Sequence, residues 1–113
     1  MLIVTTSTIP GATITEALGL VKGTTVRSSH IGDDILGVMK GFVGGEVHEY
    51  TKVVAEAREE AIDRMKAEAF ALGAHAIVGF RFATSEVAKS AAEVVAYGTA
   101  IKLVQSDDSV SVH

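Results

Sequence analysis

Apolar and small residues recur at Val47, Tyr50, Val54, Ala57, Ala61, Met65, Ala69 and Leu72, spaced three or four apart. That is the helical period, and it predicts one amphipathic helix over residues 46–72. Seven acidic and four basic residues fill the intervening positions, so one face is built for burial and the other for water. No glycine or proline interrupts the stretch, and strong helix formers dominate it. Glu46 and Glu49 fall in the first turn, where negative charge is favoured, and Gly73 stands where a left-handed residue would end the helix. Glu60 precedes Arg64 by four residues, in the better orientation for a surface ion pair. At ~1.5 Å per residue the rod is about 40 Å long, more than a small core needs.

Elsewhere the pattern is that of strands. Leu2 to Thr6 is a short β-branched run closed by the turn signal Pro10-Gly11, and predicts an edge strand. Ala12 to Leu20 reads either as one helical turn or as a short strand ending at Leu18-Gly19. Val21 to Ser28 reads as a strand with a turn or bulge at Gly23. Ala76 to Phe82 is a strong strand, with Ala76, Val78, Phe80 and Phe82 on one face and Ile77, Gly79 and Arg81 on the other. Thr84 to Ala91 is polar and reads as a connection. Ala92 to Val104 forms the last strand, antiparallel to the one before, with Tyr97, Thr99, Ile101 and Leu103 on one face. Gly98 marks a bulge or a close approach by the helix. From Gln105 onward the chain reads as a polar, flexible C-terminal tail.

These elements make an α+β fold: a small, antiparallel-dominated sheet of three to five strands packed against one long helix. Residues 1–104 form a single domain and 105–113 the tail. One sheet face has no cover within the chain, which would leave Ile77, Ile101 and Leu103 open, and the helix overhangs its sheet. Both problems are solved if copies associate, so a homo-oligomer is expected, and a ring closes heterologous contacts.

Composition narrows the function. The chain has 113 residues, 48% of them hydrophobic and 21% charged, as a folded domain requires. With four Phe, two Tyr and no Trp, the core must be thin and alanine-rich. The net charge of −4 argues against nucleic acid or an anionic membrane as partner. No cysteine is present, so disulfides and thiolate-ligated metals are excluded. No run approaches the ~20 apolar residues of a membrane helix, and MLIVTTSTIPG lacks the pattern of a signal peptide, reading as a cytoplasmic start.

Candidate chemistry is sparse. Residues 29–45 mix five glycines with Asp33, Asp34 and several large apolar groups, and read as an interface or pocket-lining segment with a short helix capped by Asp33 or Asp34. His48 and Glu49, joined by His30, Asp33 or Asp34, are the nearest approach to a divalent-metal ligand set. As plainly, they are solvated first-turn residues. Gly44 and Gly45 before the helix could expose amides to an anion, or simply supply flexible backbone. Arg27 reads as a solvated or ion-paired strand residue, or a ligand contact. Arg58, on the core side of an acidic helix, reads as an ion-pair partner of Glu46 or of a neighbouring subunit. His75 follows the helix end, and as a catalytic base it lacks a visible partner. No hydrolase elbow, P-loop or dinucleotide fingerprint occurs, so no catalytic residue is assigned.

The motifs Val43-Gly44-Gly45-Glu46, Tyr50, Glu56-Ala57-Arg58, Leu72-Gly73-Ala74, Ala76-Ile77-Val78-Gly79 and Tyr97-Gly98-Thr99-Ala100 resemble the YbjQ-like family. Thr5-Thr6, Ile9-Pro10-Gly11 and Leu20-Val21-Lys22-Gly23 extend the likeness over about residues 2–104. That family is an uncharacterised group carrying a heavy-metal-binding label. The resemblance implies a dodecin-like subunit assembling into a ring, a pentamer, with no established reaction. Three readings follow: a non-enzymatic oligomeric module; a divalent-metal-binding protein; or an enzyme with an inter-subunit site around Arg27, Glu46, Tyr50 and Arg58.

Overall fold

The structure is a computed structural model that describes residues 1–28, 45–89 and 91–106, with backbone alone for 45–50. Its elements are β1 (Leu2–Ile3), β2 (Ala12–Ser28), α1 (Gly45–Ala71), β3 (Ala76–Ala88) and β4 (Ala91–Gln105). They form an α+β fold, one four-stranded sheet of order β1-β3-β4-β2 with the helix on one face. β4 runs antiparallel to both β2 and β3, and β1 runs parallel to β3.

The strands are longer than the turn signals suggested. Ala12 to Ser28 is one strand, because the break expected near Leu18-Gly19 is absorbed by register shifts between Ile14 and Glu16 and between Ala17 and Gly19. The polar stretch after Thr84 continues β3, and Ala88 pairs directly with Ala91, so the expected loop is the arm of a long hairpin. Polar residues serve there because that arm is exposed.

Gly23 makes no bulge. It is where the helix meets the sheet: a Cβ there would press on the Ala61 carbonyl oxygen and lie 2.5 Å from the Met65 nitrogen. Around this point Ala57, Ala61, Met65 and Ala69 of α1 are fully buried on Val21, Val94, Ala96 and Ala100 of the sheet. Buried Thr25 donates its hydroxyl to the Ala57 carbonyl at 2.8 Å, which fastens helix to strand without an unpaired polar group. The helix ends as expected. Gly73 is left-handed (φ 77), and the Ala74 N–H closes on the Ala69 carbonyl at 3.0 Å.

A bulge in β3 changes the expected faces. Val78 pairs with Thr99 but Arg81 with Tyr97, so one extra residue is inserted around Gly79, whose φ of 64 only glycine adopts freely. Gly98 lies opposite. A Cβ there would sit 2.6 Å from the Ile77 Cγ2 and 3.0 Å from the Val78 oxygen, so the close approach comes from the bulged strand, not from the helix. The insertion puts Ile77 and Phe80 together on the helix side. Ile77 is therefore not open, as its alternation implied, but fully buried under the helix.

The opposite face is covered in part by the chain itself. Beyond β1 the backbone follows the β3 edge, with the Val4 N–H on the Ile77 carbonyl (2.9 Å) and the Phe80 N–H on the Val4 carbonyl (3.0 Å). Val4, Ile9 and Ile14 then fold onto Ala76, Val78 and Ile101, so Ile101 is buried rather than open, with Leu103 half-covered beside it. Farther along the same face, Leu20 (64% exposed), Val26 (61%) and Tyr97 (36%) lie bare.

Replacing Gly23 by Ala is expected to destabilise the chain by about 1–3 kcal/mol, the range for overpacking a rigid contact. Chemical denaturation of the variant beside the parent checks this.

Candidate functional site

The described polar side chains gather where α1 crosses the end of β2. Thr25 and Arg27 alternate onto the helix side of the strand, and Glu56, Glu60 and Arg64 recur every four residues along the facing edge of the helix. Arg27 pairs with Glu56 at 3.2 Å and with Glu60, which also takes Arg64 at 2.5 Å. Arg64 donates to the Thr24 carbonyl at 2.6 Å, and the Lys22 N–H donates to Glu68 at 3.1 Å. The helix thus bonds backbone groups along the outer edge of β2.

Hydrogen bonding from Arg27 holds the Glu60 carboxyl below the usual carboxylate range; burial opposes this, and the charges of Arg27 and Arg64 add to it. The same bond to Glu60, then its charge, raises Arg27. These side chains remain largely accessible, so the network is a screened surface cluster. Its carboxylates are matched by guanidinium groups, which suits joining helix to strand rather than acid–base chemistry.

Arg58 is exposed, not on the core side. Its guanidinium carbon lies 5.6 Å from the centroid of the Phe82 ring, which meets Phe80 edge-on at 4.9 Å. Helical period alone could not foresee this, because the β3 bulge brings the phenylalanines to the flank of the helix. His75 is committed to the sheet, its Nδ1 accepting the Leu103 N–H at 3.0 Å.

Gly45 is the first helical residue. Glu46, His48, Glu49 and Tyr50 belong to the same helix, but their side chains lie outside the described residues. Gly44, His30, Asp33, Asp34 and the whole glycine-rich stretch also lie outside, as does the tail from 107 onward. Among the described residues, no three His, Cys, Asp or Glu side chains converge in a way that could hold a metal ion. No described helix is long and apolar enough to cross a membrane. Arg27, Glu56, Glu60 and Arg64 do come together. Arg27 and the Glu60–Arg64 pair were read from the sequence, and that pair is present, whereas the bonds from Arg27 to Glu56 and Glu60 join two elements and had no local signal.

A family model described as "Putative heavy-metal-binding" matches residues 1–104, and the chain belongs to this YbjQ-like family. Similar proteins include the UPF0145 protein of Thermococcus kodakarensis, 54% identical over 101 residues and 89% of each chain. The UPF0145 protein of Clostridium perfringens is 55% identical over 101 residues, 89% of this chain and 95% of its own. A crystal structure from Pediococcus pentosaceus, of a DUF74 family protein with unknown function, superposes with a TM-score of 0.54 at 22% identity. That match covers 92% of this chain and 98% of the other, and it establishes the fold alone.

The depressed Glu60 pKa stabilises the fold above the unfolded carboxylate pKa, and that contribution is lost as pH falls through the folded value. Melting temperature should therefore fall more steeply on acidification in the parent than in Glu60→Gln, the two curves converging at low pH. Parallel thermal melts across the acid range check this.

Proposed function

We propose that the chain is a non-enzymatic, cytoplasmic, homo-oligomeric module whose packing is completed by further copies of itself. One observation carries the reading. The radius of gyration is 18.9 Å and the extents are 65 × 27 × 16 Å, whereas a compact domain of this length has a radius near ~13 Å. The length has two sources. The sheet is drawn out by its long strands, and the helix meets the end of β2 at Glu56, so its first three turns run on past the strand. Val54 lies on that overhang, and with Leu20, Val26 and Tyr97 bare on the sheet, apolar surface is left for a partner. A closed ring meets this need, and five copies are what the family resemblance implies.

The family description favours a second reading, a divalent-metal-binding protein. The described residues do not fit a soft heavy metal, since no cysteine is present and no ligand group converges among them. The reading therefore rests on His30, Asp33, Asp34, His48 and Glu49. Saturable zinc, nickel or copper binding that is lost in His48→Ala or in Asp33→Asn would support it. A third reading, an inter-subunit enzyme site, is weakened because Arg27 of β2 already serves two carboxylates of α1 in the same chain.

Native mass spectrometry at micromolar concentration is expected to give a single multi-copy species. A monomer would contradict the module.

A further inference from the structure

Side chains form rows across the sheet face that the helix leaves open, and one row is cationic. Register sets Lys22 of β2 and Arg81 of β3 directly on either side of Tyr97 of β4. Directly opposed Cβ atoms lie ~5 Å apart, so the two cationic side chains spring from points ~10 Å apart with the phenol between them. All three residues are exposed. Arg81 is held without being neutralised: its Nη1 donates to the Thr5 carbonyl at 3.0 Å and to the Phe80 carbonyl at 2.7 Å. The rest of its fork is unengaged among the described residues, and so are the Lys22 ammonium and the Tyr97 hydroxyl. Glu68 accepts the Lys22 N–H from the helix side but makes no ion pair with its ammonium.

The row keeps its charge. Among the described acidic residues of the strands, Glu93 alone shares this face, four residues along β4 from Tyr97. At ~3.4 Å per residue that is ~13 Å, beyond the ~8 Å over which salt screens exposed charges. The face is therefore locally positive, although the net charge of the chain is −4. Apolar surface adjoins it: Leu20, one row on, is 64% exposed, and Val95, one row back, is half-buried. On the β3 side, the N-terminal segment laid over Val78 stands as a wall that reaches Arg81 through Thr5.

We propose that this row binds a small phosphate monoester carrying a flat ring, with the phosphate between Arg81 and Lys22 and the ring against Tyr97. Charge complementarity selects this occupant. A phosphate monoester brings about −1.5 to −2 charges at neutral pH and three strong acceptor oxygens. Two cations and a phenolic donor match that set, the Arg81 fork giving direction and the Lys22 stem giving reach. An aromatic ring then stacks, offset, on the phenol beside Leu20. The net charge of −4 disfavours a polyanion, which leaves a single phosphate group. The site is built within one chain and goes beyond the oligomeric reading. It uses Leu20 and Tyr97, which that reading leaves for a partner, so copy number must be followed together with binding.

The test is calorimetric titration of the full chain with phenyl phosphate, inorganic phosphate and phenol, with native mass spectrometry of the same samples. Phenyl phosphate should bind saturably and about fivefold more tightly than inorganic phosphate, and phenol should not bind. Lys22→Gln and Arg81→Gln should each weaken phenyl phosphate about tenfold. Lys22 is the decisive position, because its side chain holds no described part of the fold. Tyr97→Val should remove the preference for phenyl phosphate over inorganic phosphate. Lys52→Gln, which deletes the same charge from an exposed helix position, should leave binding unchanged. Absence of saturable binding, or an equal loss in Lys52→Gln and Lys22→Gln, overturns the site, and a multi-copy species in those samples leaves the module standing. A monomer that binds phenyl phosphate as expected supports the site and overturns the module alone.

Discussion

The close seating of the helix on the sheet at Gly23 governs the remainder of this structure. The helix reaches the strand backbone because Gly23 has no side chain and because Ala57, Ala61 and Ala69 present only methyl groups around Met65. A contact this shallow buries little area per residue, so it must be long. Hence one helix of 27 residues lies along strands of 17 and 15. A helix is about 10–12 Å wide and strands are ~4.8 Å apart, so it covers about two of them. Here it covers β2 and β4, leaving the β3 arm exposed. The elongated shape, the bare stretch of sheet and the exposed β3 arm follow from that choice of small residues.

Much of this was legible in the sequence. The helix appeared within one residue at each end, since its period is unbroken and its Gly73 stop is unambiguous. The β3–β4 pairing and the faces of β4 followed from alternation. What alternation could not carry was the bulge at Gly79, which exchanges the faces of β3 and sends Ile77 under the helix. Turn signals misled in a similar way: Leu18-Gly19 and the polar run after Thr84 were absorbed into strands, since an edge can take a bulge and an exposed arm can be polar. The cover over Ile101 comes from Val4, Ile9 and Ile14, a tertiary contact with no local pattern.

The candidate site was legible in part. Arg27 was chosen as a basic residue of a strand that also carries Lys22. Its partners are carboxylates that looked solvated because the helix, read alone, gives no hint of which edge overhangs β2. Arg58 seemed core-facing by period, but its contact is an aromatic ring delivered by the bulged strand. Both arginines bind elements of the fold to one another.

The central claim is that the chain completes its packing with copies of itself, so folding and association are linked. Equilibrium unfolding by denaturant, repeated over a hundredfold range of protein concentration, tests this most directly. The midpoint should rise with concentration, because assembly withdraws folded chains from the unfolding equilibrium. A midpoint that stays fixed across the range would contradict the account and leave the elongated subunit stable by itself.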